Sequence, residues 1–117
     1  VSSYIESTDQ LSNEAKNIVR ALHSLMEEVE AVAWYHQRVD TSDDEDLKEV
    51  LAHNRDEEIE HACMVLEWLR RNMPGWDKEL RENLFTEGPI GHPEEENEHK
   101  GENPGTPGSL NLGSMKK

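Results

Sequence analysis

A chain of 117 residues, 33% hydrophobic and 32% charged, has room for one domain with a small core. Its formal net charge is -14, and the segment from Thr86 onward, with six acids against three lysines, leaves -11 of that to the residues before it. A field of this sign excludes nucleic acid as a partner, because phosphate neutralisation needs a basic surface, and it draws cations toward clefts instead.

The first element starts near Leu11. Apolar residues recur at Leu11, Ala15, Ile18, Leu22, Leu25, Val29 and Val32, and alternating steps of four and three predict one long amphipathic helix. Ser7 with Gln10 has the form of a capping box, which sets the start within Ser7–Ser12. The run Asp40-Thr41-Ser42-Asp43-Asp44 is a turn that ends this helix, and Ser42 with Glu45 repeats the capping-box pattern to open a second. The second helix runs to about Asn72, where Pro74-Gly75 stops it, and Trp76–Phe85 reads as a short third helix. No strand pattern is present. The predicted class is all-α: an antiparallel two-helix hairpin plus a short C-terminal helix, making a four-helix bundle only on dimerisation.

From Thr86 the chain turns to Gly, Pro, Glu and Asn and holds four of the five prolines. Such a segment lacks the apolar surface to offset ordering entropy. The expected division is a helical domain over 1–90, a flexible linker over 91–107 and a distinct tip over 108–117, which has no acid, three apolar anchors and two terminal lysines. Cys63 is the single cysteine, so an intrachain disulfide is ruled out and a reducing cytoplasm is the default expectation. No apolar run approaches the roughly 20 residues that span a membrane, and no secretory pattern is visible. Val1 is not an initiator Met, which leaves residues upstream open.

A hairpin buries one seam, yet apolar residues also stand at Val19, Met26, Ala33, Cys63, Leu66 and Leu69. Pairing of two hairpins into a four-helix bundle would cover them, so an obligate homo-oligomer is expected.

The seam of the second helix reads Leu47, Leu51, Asn54, Glu58, His61, Val65 and Trp68, which puts polar groups where packing asks for aliphatic ones. An unpaired carboxylate buried there costs several kcal/mol or shifts its pKa until it neutralises. A bound cation compensates directly, and Glu-x-x-His sets both ligands on one face, a turn apart. Glu28 stands beside the first seam, flanked by Leu25, Val29 and Val32. Di-metal four-helix bundles take a Glu from each of two helices and Glu-x-x-His from each of the other two. This chain holds half the helices and half the ligands, so a two-fold dimer supplies two Glu28, two Glu58 and two His61. The competing structural reading pairs Glu58 with Arg55 and makes His61 a satisfied core histidine.

The stretches Met26–Arg38, Leu51–Ala62, Leu66–Arg71 and Leu84–Ile90 resemble the encapsulated ferritins. The resemblance implies an annular decamer built as a pentamer of two-fold dimers, with a di-iron centre at a dimer interface whose ligands fall on Glu28, Glu58 and His61. It implies iron oxidation in an open ring without a storage cavity. It assigns Glu27 and Glu30 to a site where metal is taken in, with Trp34 as the gate beside it. Ser109-Leu110-Asn111-Leu112-Gly113 is similar to the cargo-loading peptides that dock on the inner wall of encapsulin shells, with Leu112 where Ile is usual. Docking through Gly108–Lys117 would place the protein in the cytoplasm, inside an encapsulin nanocompartment.

Other candidates follow from spacing. His53, Glu57 and Glu60 lie at i, i+4 and i+7 and form a possible peripheral site for calcium or another divalent cation. Tyr35 lies two turns beyond Glu28 on the same face, as a hydrogen-bond or electron donor to the centre or as an interface aromatic. The expected activity is a ferroxidase in which Glu58 bridges the metals, Glu28 and His61 hold one iron each, and two Fe(II) each pass one electron to dioxygen. A non-catalytic metal buffer, a helical scaffold for shell loading and a peroxide scavenger are the alternatives.

Overall fold

The structure, a computed structural model, describes residues 4–91; all but the first residue of the expected linker 91–107 and the whole of the expected docking peptide 108–117 lie outside the described residues. It divides into two units between Pro74 and Gly75. The described residues are helical throughout their regular elements, with no strand, and none of their helices is long and apolar enough to cross a membrane.

The first unit opens with a single 3-10 turn, Thr8–Gln10. Ser7 lends it a backbone carbonyl, accepting from the Gln10 amide at 2.9 Å, and makes no side-chain cap. Leu11 is then extended (φ -90°, ψ 141°), so the predicted capping box cannot start the long helix. The helix α1 spans Asn13–Thr41, and its true cap is Ser12, whose Oγ accepts the Ala15 amide at 3.0 Å. The second expected capping box is also corrected. Ser42 closes α1, its amide donating to the Arg38 carbonyl, while its hydroxyl accepts the Asp44 amide at 3.3 Å. Asp44 is left to cap α2 (Glu45–Asn72), accepting the Leu47 amide at 2.9 Å. A carboxylate at a helix N-terminus gains from the macrodipole as well as from the hydrogen bond.

α1 and α2 run antiparallel across this short turn. Leu69, predicted as an outward position awaiting a partner, is instead fully buried (0% exposed), while the predicted seam residues Val29 and Leu47 are 55% and 51% exposed. A strict alternation of four and three drifts by about 20° per heptad against a straight helix. Toward the end of α2 the inward line therefore slides off the heptad pattern, toward Leu69. Leu69 is the only fully buried hydrophobic residue among those described, and Met26, Trp34, Val50, Ile59, Met64 and Trp68 remain exposed.

α2 ends as predicted at Asn72, because Met73 before Pro74 is extended (φ -118°, ψ 115°). Near this end Glu67 accepts from Arg70 at 2.8 Å and from Arg71 at 2.7 Å. Hydrogen bonds to these guanidiniums bring its carboxyl from the ordinary 4.5 to about 2. A carboxyl held below its unfolded value adds stability above pH 4.5 and loses it as pH falls toward 2. The thermal midpoint of the wild type should therefore exceed that of Glu67→Gln at neutral pH, and the gap should close between pH 4.5 and 2 in paired melts; a constant gap would contradict it.

In the second unit α3 spans Trp76–Asn83, two residues short of the predicted end, because Leu84 is extended and Phe85 takes φ 57°. Its N-cap is Gly75 at φ 103°, a left-handed turn that an L side chain adopts only with strain.

Candidate metal centre

Midway along the hairpin α1 presents Glu28 to Glu58 and His61 of α2. The i, i+3 spacing stacks the last two on one face, and the antiparallel packing brings Glu28 against them. Nδ1 of His61 lies 3.4 Å from Oε1 of Glu58 and 3.6 Å from Oε1 of Glu28. One ligand atom from each of the three falls within 4.8 Å of the others, the only such group of three His, Cys, Asp or Glu side chains among the described residues. The carboxylates are about three-quarters covered while the imidazole is nearly half exposed, so the cluster opens toward one side of the hairpin.

The two carboxyls meet. A hydrogen bond with Glu58 raises the Glu28 carboxyl above its ordinary 4.5, helped by desolvation and the Glu58 charge and opposed by His61. The same hydrogen bond lowers Glu58, with His61 acting in the same direction and burial against it. The two carboxyls are therefore moved apart in their titration, Glu28 upward and Glu58 downward, and a bound cation would favour the ionised form of both. Carboxylate oxygens with one imidazole nitrogen suit iron, manganese or zinc, with softer thiolate chemistry absent from the set.

On the far side of the ring, Nε2 of His61 faces Oε1 of Glu57 at 3.9 Å, and Oε2 of Glu57 faces Nε2 of His53 at 3.6 Å. Nδ1 is thus the nitrogen turned toward the carboxylates. His53 and Glu57 meet as predicted, whereas Glu60 is not gathered with them; it lines an outer groove of α2 with Cys63, Met64, Glu67, Trp68 and Arg71. Glu27 pairs with His23 at 3.3 Å, and both share an open groove of α1 with Met26, Val29 and Glu30. Tyr35 is half-buried beneath the Arg38 guanidinium, 5.2 Å from its ring centre.

The structural reading of Glu58 as the partner of Arg55 fails. Arg55 donates instead to Oδ1 of Asp56 at 3.1 Å and to Nδ1 of His36, across the hairpin, also at 3.1 Å. Sequence reasoning missed this bond, since Arg55 and His36 have no spacing relation that a single helix would reveal.

The hairpin holds two long helices, one Glu and one Glu-x-x-His in a single cluster. The family model EncFtn-like matches residues 3–87, and the chain belongs to this family of encapsulin-associated ferritin-like proteins. It is 59% identical over 102 residues to a ferritin-like protein of Thermotoga maritima, covering 87% of this chain and 90% of that one. It is 50% identical over 120 residues to an encapsulated ferritin-like protein of Rhodospirillum rubrum, covering 95% of this chain and 86% of that one. Among solved structures it is similar to the crystal structure of protein ne0167 from Nitrosomonas europaea, with a TM-score of 0.74 and 55% identity over 78% of this chain and 100% of that one.

Proposed function

We propose that this protein is a ferroxidase that oxidises Fe(II) to Fe(III) at a di-iron site completed by a second copy and passes the iron on for mineralisation inside an encapsulin shell. The observation that carries this reading is the cluster of Glu28, Glu58 and His61, three ligands on a hairpin that has only half of a four-helix bundle. Two-fold pairing brings two such sets together: Glu58 of each copy bridges, and Glu28 and His61 hold one iron each. Iron is the substrate. Each Fe(II) gives up one electron, and dioxygen takes both together with two protons.

The chain's own groups do three things. Four carboxylates from two copies offset the charge of the ions and favour the higher oxidation state. Glu28 and Glu58, brought together by the hairpin, offer carboxylate oxygens to the same ion. Glu57, on the opposite side of His61, favours the tautomer that leaves Nδ1 free to bind. Glu27 and Glu30, in the acidic groove of α1 with Trp34 near by, take in the cation; His53, Glu57 and Glu60 form a peripheral site once neighbouring copies close around them. Assembly into an annular decamer and docking through 108–117 complete the proposal, and the relative described as encapsulated supports the shell location.

Titration of the full-length protein with Fe(II) under anaerobic conditions, followed by admission of air, tests it. Two irons per pair of chains should bind and oxidise faster than free iron, and prior loading with Zn(II), which competes for the same ligands, should block both. Binding without accelerated oxidation would leave a metal buffer rather than an enzyme.

A further inference from the structure

Beyond the ligands, the hairpin carries a polar tie whose placement bears on the same centre. His36 lies eight residues beyond Glu28 on α1, about 12 Å along the axis, and the antiparallel partner of that level on α2 lies about eight residues before Glu58. Arg55 is only three residues before Glu58. Its long side chain covers the remaining five residues, about 7.5 Å, by reaching along the hairpin toward the turn. The guanidinium donates only, so Nδ1 of His36 is the acceptor in this 3.1 Å bond and the ring carries its proton on Nε2. Asp56 holds the guanidinium from behind, at Nε.

We propose that Arg55 and His36 are positioning residues: their bond across the hairpin fixes the axial register of α1 against α2 and so sets Glu28 opposite Glu58 and His61. This rests on reading those three residues as the metal ligands. Apolar packing along the seam is only partial near the turn, since Leu69 alone among the described hydrophobic residues is fully buried, and it lies near the far end of α2. A directional bond between the turn and the cluster adds to it there. A sliding of one helix by a fraction of a residue rise separates carboxyls that must share one ion, whereas the tie resists the sliding that would lengthen its 3.1 Å bond.

The test uses full-length protein with Arg55→Met, which keeps the apolar stem, His36→Ala, the double variant, and His36→Asn, whose Oδ1 replaces Nδ1 as acceptor. Anaerobic Co(II) titration, followed through the visible spectrum, reads affinity and ligand geometry. Each disrupting single variant should bind Co(II) about five- to tenfold more weakly with an altered spectrum, the double should be no worse than either, and His36→Asn should restore both. Wild-type affinities in the singles, additive losses in the double, or no rescue by Asn would overturn the proposal. In metal-free protein, imidazole nitrogen resonances give a second reading: Arg55→Met should move the signals of both His36 and His61, and movement of His36 alone would refute a positioning role. Failure of the wild type to bind Co(II) with unmoved His61 signals refutes this proposal; failure to bind with moved signals refutes the metal centre but not the tie.

Discussion

Replacement of His61 by Ala is expected to lower Fe(II) oxidation by at least about a hundredfold, since loss of groups that only support a ligand already costs 10–100-fold and His61 is the sole nitrogen donor of the set. The same loss is expected for Glu28→Ala and for Glu58→Gln, which keeps the shape of the side chain but removes the charge proposed to bridge two ions. The helices do not depend on these groups: the ligands are a quarter to a half exposed and cap nothing, so far-UV circular dichroism should be unchanged. Stopped-flow oxidation at two Fe(II) per pair of chains checks this. Rates within threefold of wild type in any of the three variants would remove the ligand assignment, and with it the enzyme.

The second large effect concerns assembly. Met64 is 63% exposed and lines two grooves of the hairpin, one with Cys63 and Trp68, the other with Ala21, Val65 and Trp68. Burying such a side chain is worth about 1.5–3 kcal/mol. Met64→Asp removes that gain and sets an unpaired carboxylate between Glu60 and Glu67, one turn away on either side, at a cost of several kcal/mol more. In a two-fold interface every contact occurs twice, so the change should shift the association constant by more than two orders of magnitude. Sedimentation velocity is expected to show an oligomer for the full-length wild type and monomer for the variant, with metal binding lost in parallel. Assembly at wild-type concentration would mean that this groove faces solvent and that the second half of the centre arrives by another surface.

The gathering of Glu28, Glu58 and His61 was legible because chemistry and periodicity conflict at their positions. Glu58 and His61 interrupt an apolar spacing in α2, and Glu28 adjoins one in α1, and the structure gathers these three. Helix ends were legible wherever a residue forbids continuation, as at Pro74, and less so where several polar residues compete to cap. Ser7, Ser12, Ser42 and Asp44 all fit a cap motif, and only Ser12 and Asp44 cap, because each immediately precedes a helix while extended Leu11 parts Ser7 from α1 and the non-helical residues 43–44 part Ser42 from α2. Burial was read less well. The heptad rule treats the helix as supercoiled, whereas drift over seven or eight turns moves Val29 and Leu47 outward and Leu69 inward. The Arg55–His36 bond was beyond a one-dimensional pattern, since it depends on a long side chain leaning five residues out of register.

Glu28 and Glu58 each stand fifteen residues from Asp43, at the middle of the turn. The turn is therefore a hinge with two equal lever arms of about 22 Å, and each degree of splay at the hinge displaces the far carboxyls by roughly 0.4 Å. Metal–ligand distances tolerate about 0.2 Å. No three-residue connection is stiff enough to meet that tolerance at such a distance, so the accuracy of the centre has to be generated locally, by the clamp of the ions themselves and by whatever grips the arms beside them. Lengthening the turn with flexible residues should accordingly matter less than loosening contacts near mid-arm.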